Sequence, residues 1–300
     1  MVKQLSTATI CFAAVFLLCL HHHNAMTMKK ILLWATLGLL VGCGNNNQNN
    51  TPTKPQKESF NVETYDVFGD HLLATEGEGA DAYEVRASYQ CEIDIPVTDN
   101  QALYDSICYW FAQNFGSSYD GDPRDVKAMV AFYKGWALDI EEGQDLEGYD
   151  LSYTIKMEEA TDRYVTYSFG NYFEATHSPR GNFEKTHATF DRNTGQRFTR
   201  QMVKADENLA QLVMNELLNQ YFSDWSDESL PEILYFDPEE PEESGFWLPQ
   251  YNDPWIYNDL IYFGYGPQEI AQYCAGQPQC GLPYSTMKPF LTEEGQAFFK

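Results

Sequence analysis

The chain has 300 residues, of which 43% are hydrophobic and 15% aromatic, enough apolar mass for one large domain or two small ones. Its formal charge is −25. A surface of that sign repels nucleic acid and anionic headgroups and attracts cationic partners, so no nucleic-acid role is expected.

Residues 28–47, MKKILLWATLGLLVGCGNNN, read as a second beginning inside the chain. Lys29 and Lys30 precede an apolar run that is too short to cross a bilayer but has the length of a signal h-region. The run ends in Leu40-Val41-Gly42-Cys43, which resembles the bacterial lipobox, where the cysteine is acylated and becomes the new N-terminus. Residues 1–42 are therefore expected to be a leader, with Met28 as an alternative start, and the three histidines at 21–23 are assigned no function. Lys3, Lys29 and Lys30 are the bases before Cys43, and no acid accompanies them. Of the 19 bases this leaves 16 against 44 acids, a net of −28. Acylation at Cys43 with two or more chains gives stable membrane anchoring. Gly44 stands where an inner-membrane retention Asp would be, which points to the outer membrane. Residues 43–60 are polar and Asn-rich, and read as the lipidated cysteine and a flexible tether.

The folded part is expected to be α+β: antiparallel sheets with packed helices, in two associated subdomains at 61–195 and 196–300. Residues 83–97 alternate, with Val85, Ala87, Tyr89, Cys91, Ile93, Ile95 and Val97 on one face, which predicts a half-buried strand. A helix follows, with Leu103, Ile107, Phe111 and Phe115 four apart, Asp99 or Asn100 as its cap and Gly116 as its stop. A second helix is predicted from about 122 to 140. Strands are predicted at 151–157, at 164–173 with Val165, Tyr167 and Phe169 inward, and around 186–199 with a turn at Asn193-Thr194-Gly195. Residues 206–222 form an amphipathic helix with Leu209, Leu212, Val213, Leu217 and Tyr221 inward. Residues 223–244 hold nine acids and no base. They are read as a solvated acidic insertion, because the alternating acids of a calcium loop are missing.

Four cysteines remain after the leader and Cys43: Cys91, Cys108, Cys274 and Cys280. An even number in an exported chain suggests two disulfides. Three pairings are open, and the spacing favours Cys91–Cys108 and Cys274–Cys280.

The C-terminal stretch resembles the RsiV-type family on Phe263, Tyr265, Pro267, Glu269, Ile270, Ala271, Tyr273, Ala275, Gly276, Pro283, Tyr284 and Ser285. The stretch before it resembles the associated PdaC-type domain on His177, Phe190, Asp191, Thr194, Gly195 and Thr199, but Glu174 and Ala175 replace two family glycines. The resemblance implies a non-catalytic envelope domain. In RsiV-type relatives it is the outer part of an anti-sigma factor that binds lysozyme; in others it accompanies a peptidoglycan deacetylase.

For chemistry, neither G-x-S-x-G nor H-E-x-x-H occurs. Arg192 stands where a polysaccharide deacetylase motif would carry its second Asp. His177 and His187 are conceivable zinc ligands, but His187 shares a strand face with Thr189 and Asp191 and reads as a surface residue. No metal, cofactor or catalytic residue is expected. Residues 246–265 hold eight aromatics in twenty residues, which either fill a core or stack on sugars. The binding candidates are Tyr265, Glu269, Tyr273, Trp247, Trp255 and His177. The expected partner is lysozyme or another cationic protein; the alternative is a peptidoglycan-binding module or an accessory of a peptidoglycan-modifying enzyme.

Overall fold

The computed structural model describes residues 60–77, 82–139, 148–176, 178, 181–204, 206–226, 229–237 and 246–299. Cys43, the leader, the tether up to residue 59 and His177 lie outside the described residues.

One sheet contains, in spatial order, β1 (Asn61–Glu76), β2 (Tyr83–Val97), β3 (Tyr149–Ala160), β4 (Tyr164–Ala175) and β5 (Asn182–Asp191). The fold is α+β, but the sheet is mixed rather than antiparallel throughout. β2 and β3 run parallel, while the other neighbours are antiparallel. The reason is the connection. Between β2 and β3 the chain forms α1 (Gln101–Phe115) and α2 (Val126–Leu138), and a helical crossover returns the next strand in the same direction.

The alternation of β2 holds from Val85 through Ala87, Tyr89 and Cys91 to Ile93, but not at its end: Asp94, Ile95 and Pro96 are all buried and Val97, expected inward, is exposed. α1 is capped by Asn100, whose Oδ1 accepts from Ala102 N and Leu103 N, and it ends at Gly116, φ 121°. α2 begins later than expected. Arg124 forks onto Asp122 in the turn before it, and Asp125 makes the cap by accepting from Ala128 N. The strand β1 was not predicted. Val62, Tyr65 and Val67 pack against the core but are only half-buried, and Val62 is out of step with the other two, so its sequence carries a diluted alternation. This long edge is blunted by α2, where Lys134 Nζ donates to Phe68 O and Lys127 pairs with Glu63.

The second sheet is antiparallel: β6 (Trp255–Tyr257), β7 (Leu260–Gly264) and β8 (Gln279–Pro283). α3 (Glu207–Gln220) packs on it through Leu209, Val213, Met214 and Leu217, with Leu212 and Tyr221 half-buried at the margin. Short helices α4 (Leu230–Ile233), α5 (Tyr284–Met287) and α6 (Glu293–Ala297) complete this part. The buried side chains form two clusters, one drawn from 89–190 and the other from 198–298 together with Tyr164.

Two expectations are corrected here. Segment 223–244 is not simply a solvated loop, because α4 lies within it. Ile233, Leu234 and Phe236 are buried, and Leu234 bridges to Ala271. Residues 227–228 and 238–244 lie outside the described residues. The expected disulfides are not formed: Cys91, Cys108, Cys274 and Cys280 are all free. Cys91 and Cys108 share a core, but each thiol lies against a tyrosine of its own element, Tyr89 on β2 and Tyr104 on α1. Cys280 points under α3 toward Val213 O at 3.6 Å, whereas Cys274 sits in the single turn Tyr273–Ala275 on the other side of Gly276.

Candidate functional site

Both faces of β4 are covered. Val165, Tyr167 and Phe169 face α1, and Tyr164, Thr166 and Ser168 face the second sheet. Over its buried first half, Tyr164 to Ser168, the second face is polar yet uncharged, and its threonine hydroxyl is matched to the backbone of β6. Thr166 Oγ1 donates to Ile256 O at 2.6 Å, and Thr189 Oγ1 accepts from Ile256 N at 2.8 Å. The two hydroxyls are 2.8 Å apart. These bonds satisfy the central residue of β6 at a junction where water is excluded.

Next to this junction His187 stacks on Trp255, with centroids 4.3 Å apart and planes 11° from parallel. Trp255 is only 5% exposed, lies across Gly264, and also stacks on Tyr262. His187 is therefore half-buried beneath the second sheet rather than an open surface histidine. Its strand face was read correctly; the second sheet then closed over it. Burial and the Lys185 ammonium lower its pKa to about 4, against the opposing pull of Glu158. Glu158 is itself held below the usual carboxylate range. Burial would raise it, but hydrogen bonds from Lys185 Nζ and Ser168 Oγ at 2.7 and 2.6 Å outweigh that.

At the outer edge of the sheet the side chain of Gln277 takes the place of a sixth strand. Lys185 N donates to Gln277 Oε1 at 2.7 Å, and Gln277 Nε2 donates back to Lys185 O at 3.2 Å. Between this edge and β7 lies a groove of about 280 Å³, with Phe183 at its mouth and His187, Trp255, Asn252, Gln277 and Gln279 along its walls.

The binding candidates are not gathered into one site. Tyr265 is fully buried and its hydroxyl donates to Trp247 O at 2.8 Å. Glu269 ties down two loops, accepting from Gln250 N and Gly266 N, each at 2.8 Å. Tyr273 braces the two parts, donating to Gly181 O at 2.6 Å. Trp255 has no open face for a sugar, whereas Trp247 is 37% exposed and its neighbour Tyr251 is 81% exposed. The residues of 190–195 on which the PdaC-type resemblance was read also build structure. Asp191 Oδ1 accepts from Asn193 N, Thr194 N and Thr194 Oγ1, closing the turn. Asn100 Nδ2 then donates to Arg192 O and Asn193 O, so the turn docks on the start of α1.

No family model and no curated protein matches the chain. Solved structures do share its fold. A DUF3298 family member from Bacteroides fragilis superposes with a TM-score of 0.57 at 17% identity, covering 79% of this chain and 96% of that one. A DUF3298 family protein from Pseudomonas aeruginosa gives 0.51 at 13% identity, covering 77% and 95%. At such identities the likeness is one of fold.

The groove and the His187–Trp255 stack were missed in the sequence. One signal was present: the first half of the outward face of β4, Tyr164, Thr166 and Ser168, carries no charge before Glu174, which is unusual for a strand face open to water.

Proposed function

We propose that the folded part is a binding module of the cell envelope, anchored through Cys43 at the outer membrane, whose partner is a cationic protein; lysozyme is the first to test. Charge carries the reading. The chain holds −25, and −28 without the segment before Cys43. Six of the cations among the described residues are spent locally on acids. Arg86, Arg124, Lys127, Lys156, Lys185 and Arg197 each pair with carboxylates, so the excess acids set the field that a basic partner meets. The RsiV-type and PdaC-type resemblances support the same reading, which assigns the module no catalytic role.

A glycan-binding or enzyme-accessory role is the second reading, favoured by the exposed rings of Trp247 and Tyr251. Titration against lysozyme and against peptidoglycan fragments, at low and physiological salt, separates the two. Saturable lysozyme binding that survives physiological salt is expected. Loss with added salt would reduce it to charge attraction. Glycan binding that disappears in Trp247→Ala, with no lysozyme binding, would establish the second reading. For the anchor, Cys43→Ala is expected to abolish fatty-acid labelling and release the protein from membranes.

A further inference from the structure

We propose that the groove between the edge of β5 and β7 is a binding site for a single uncharged saccharide ring. The site is distinct from the acidic surface of the docking proposal and from the exposed Trp247. Its position is one where ligand sites concentrate, a concavity at the junction of two packed units. Its volume of about 280 Å³ lies near the lower end of the range of roughly 300–1,000 Å³ for small-molecule sites, which suits one ring better than an extended chain.

The lining decides the ligand class. Phe183 stands at the mouth with 51% of its surface exposed, although it belongs to a strand whose later residues are buried. An aromatic ring held open beside amides presents an apolar face to the C–H side of a sugar. Hydrogen-bonding capacity surrounds it. The imidazole nitrogens of His187 and the amide of Gln279 have no hydrogen-bond partner among the described residues, and both line the groove. An amide and a neutral imidazole each donate and accept, which matches hydroxyl groups that do the same. The charge balance excludes the simplest rival, a carboxylate or phosphate. Lys185, the cation of the groove, is neutralised by Glu158 at 2.7 Å, and the protein as a whole repels anions.

The test uses the full chain and a panel of glucose, galactose and N-acetylglucosamine, with glucuronate and glucosamine as charged controls, followed by ligand-observed NMR and calorimetry. At least one neutral sugar is expected to saturate in the millimolar range, above both charged controls. Phe183→Ala and Gln279→Ala, both exposed and outside the core, are each expected to weaken it at least about five-fold, the loss of one stacking or polar contact. Trp247→Ala is expected to leave it unchanged. The proposal is overturned if no neutral sugar saturates, if glucuronate or glucosamine binds as well, if both groove variants bind as the parent does, or if Trp247→Ala abolishes binding. Lysozyme affinity is read in parallel; its loss or retention bears on the docking surface alone.

Discussion

The imidazole of His187 lies flat against the indole of Trp255, 4.3 Å between centroids, and this contact joins the edge of the five-stranded sheet to the first strand of the second sheet. Each ring supplies cover that the other lacks. Trp255 has no room on its own sheet beyond Gly264 and Tyr262, and His187 on its own strand would be solvated.

Stability is expected to fall with pH through this contact. The folded-state pKa of His187, about 4, lies below the ordinary value of 6.5, so the unfolded chain binds the proton more readily. The contribution is complete above about pH 6.5 and is lost progressively as pH falls toward about 4. Urea midpoints measured across this window are expected to drop for the parent and to drop less for His187→Phe, which keeps the stack without the proton. Parallel curves for the two proteins would contradict this.

The Thr166–Thr189–Ile256 junction is expected to be cooperative. Thr189→Val removes the acceptor of a buried N–H and is expected to cost about 1–3 kcal/mol. Thr166→Val removes the donor to Ile256 O at similar cost. In the double variant the losses are expected to sum to less than the two singles, since the hydroxyls share one network. Additive losses in denaturant titration would mean that the hydroxyls act independently.

Two glycines are expected to respond in opposite directions. At Gly195, φ is 72°, and an added Cβ would lie 2.5 Å from the backbone of Ala102, so Gly195→Ala is expected to cost more than about 1 kcal/mol. Gly135 sits inside α2 with nothing within 4 Å of an added Cβ, so Gly135→Ala is expected to stabilise by about 0.5–1 kcal/mol. Thermal melts of the two variants decide both signs.

Thiol reactivity is expected to single out Cys274. Burial pushes Cys91, Cys108 and Cys280 each up to about 12, so none carries appreciable thiolate at neutral pH. Cys274 is half-buried and is expected to react first with a thiol reagent in the native protein. Denaturation without reductant is expected to release the other three of this set. Fewer would show that bridges form in the exported protein.

The sequence by itself determined most local elements of the first sheet, though not β1. The alternation from 85 to 93, the four-residue spacing of Leu103, Ile107, Phe111 and Phe115, a cap at Asp99 or Asn100 (Asn100 in the structure) and the stop at Gly116 each report one residue's surroundings through its neighbours in the chain, and each is present in the structure. The turn at 193–195 was legible for the same reason, since Asp191 bonds residues two and three positions on. What only the tertiary structure decided were relations between segments far apart in sequence. The parallel pairing of β2 with β3 depends on where the two helices of the crossover settle. Leu234 in the core depends on Ala271 being there to receive it. The partial cover over His187 comes from Trp255, 68 positions away, and the groove beside them exists only because the second sheet docks on the uncharged first half of that face of β4. A residue's own periodicity shows which face it lies on; whether that face meets water or another sheet is settled by the partner that packs against it.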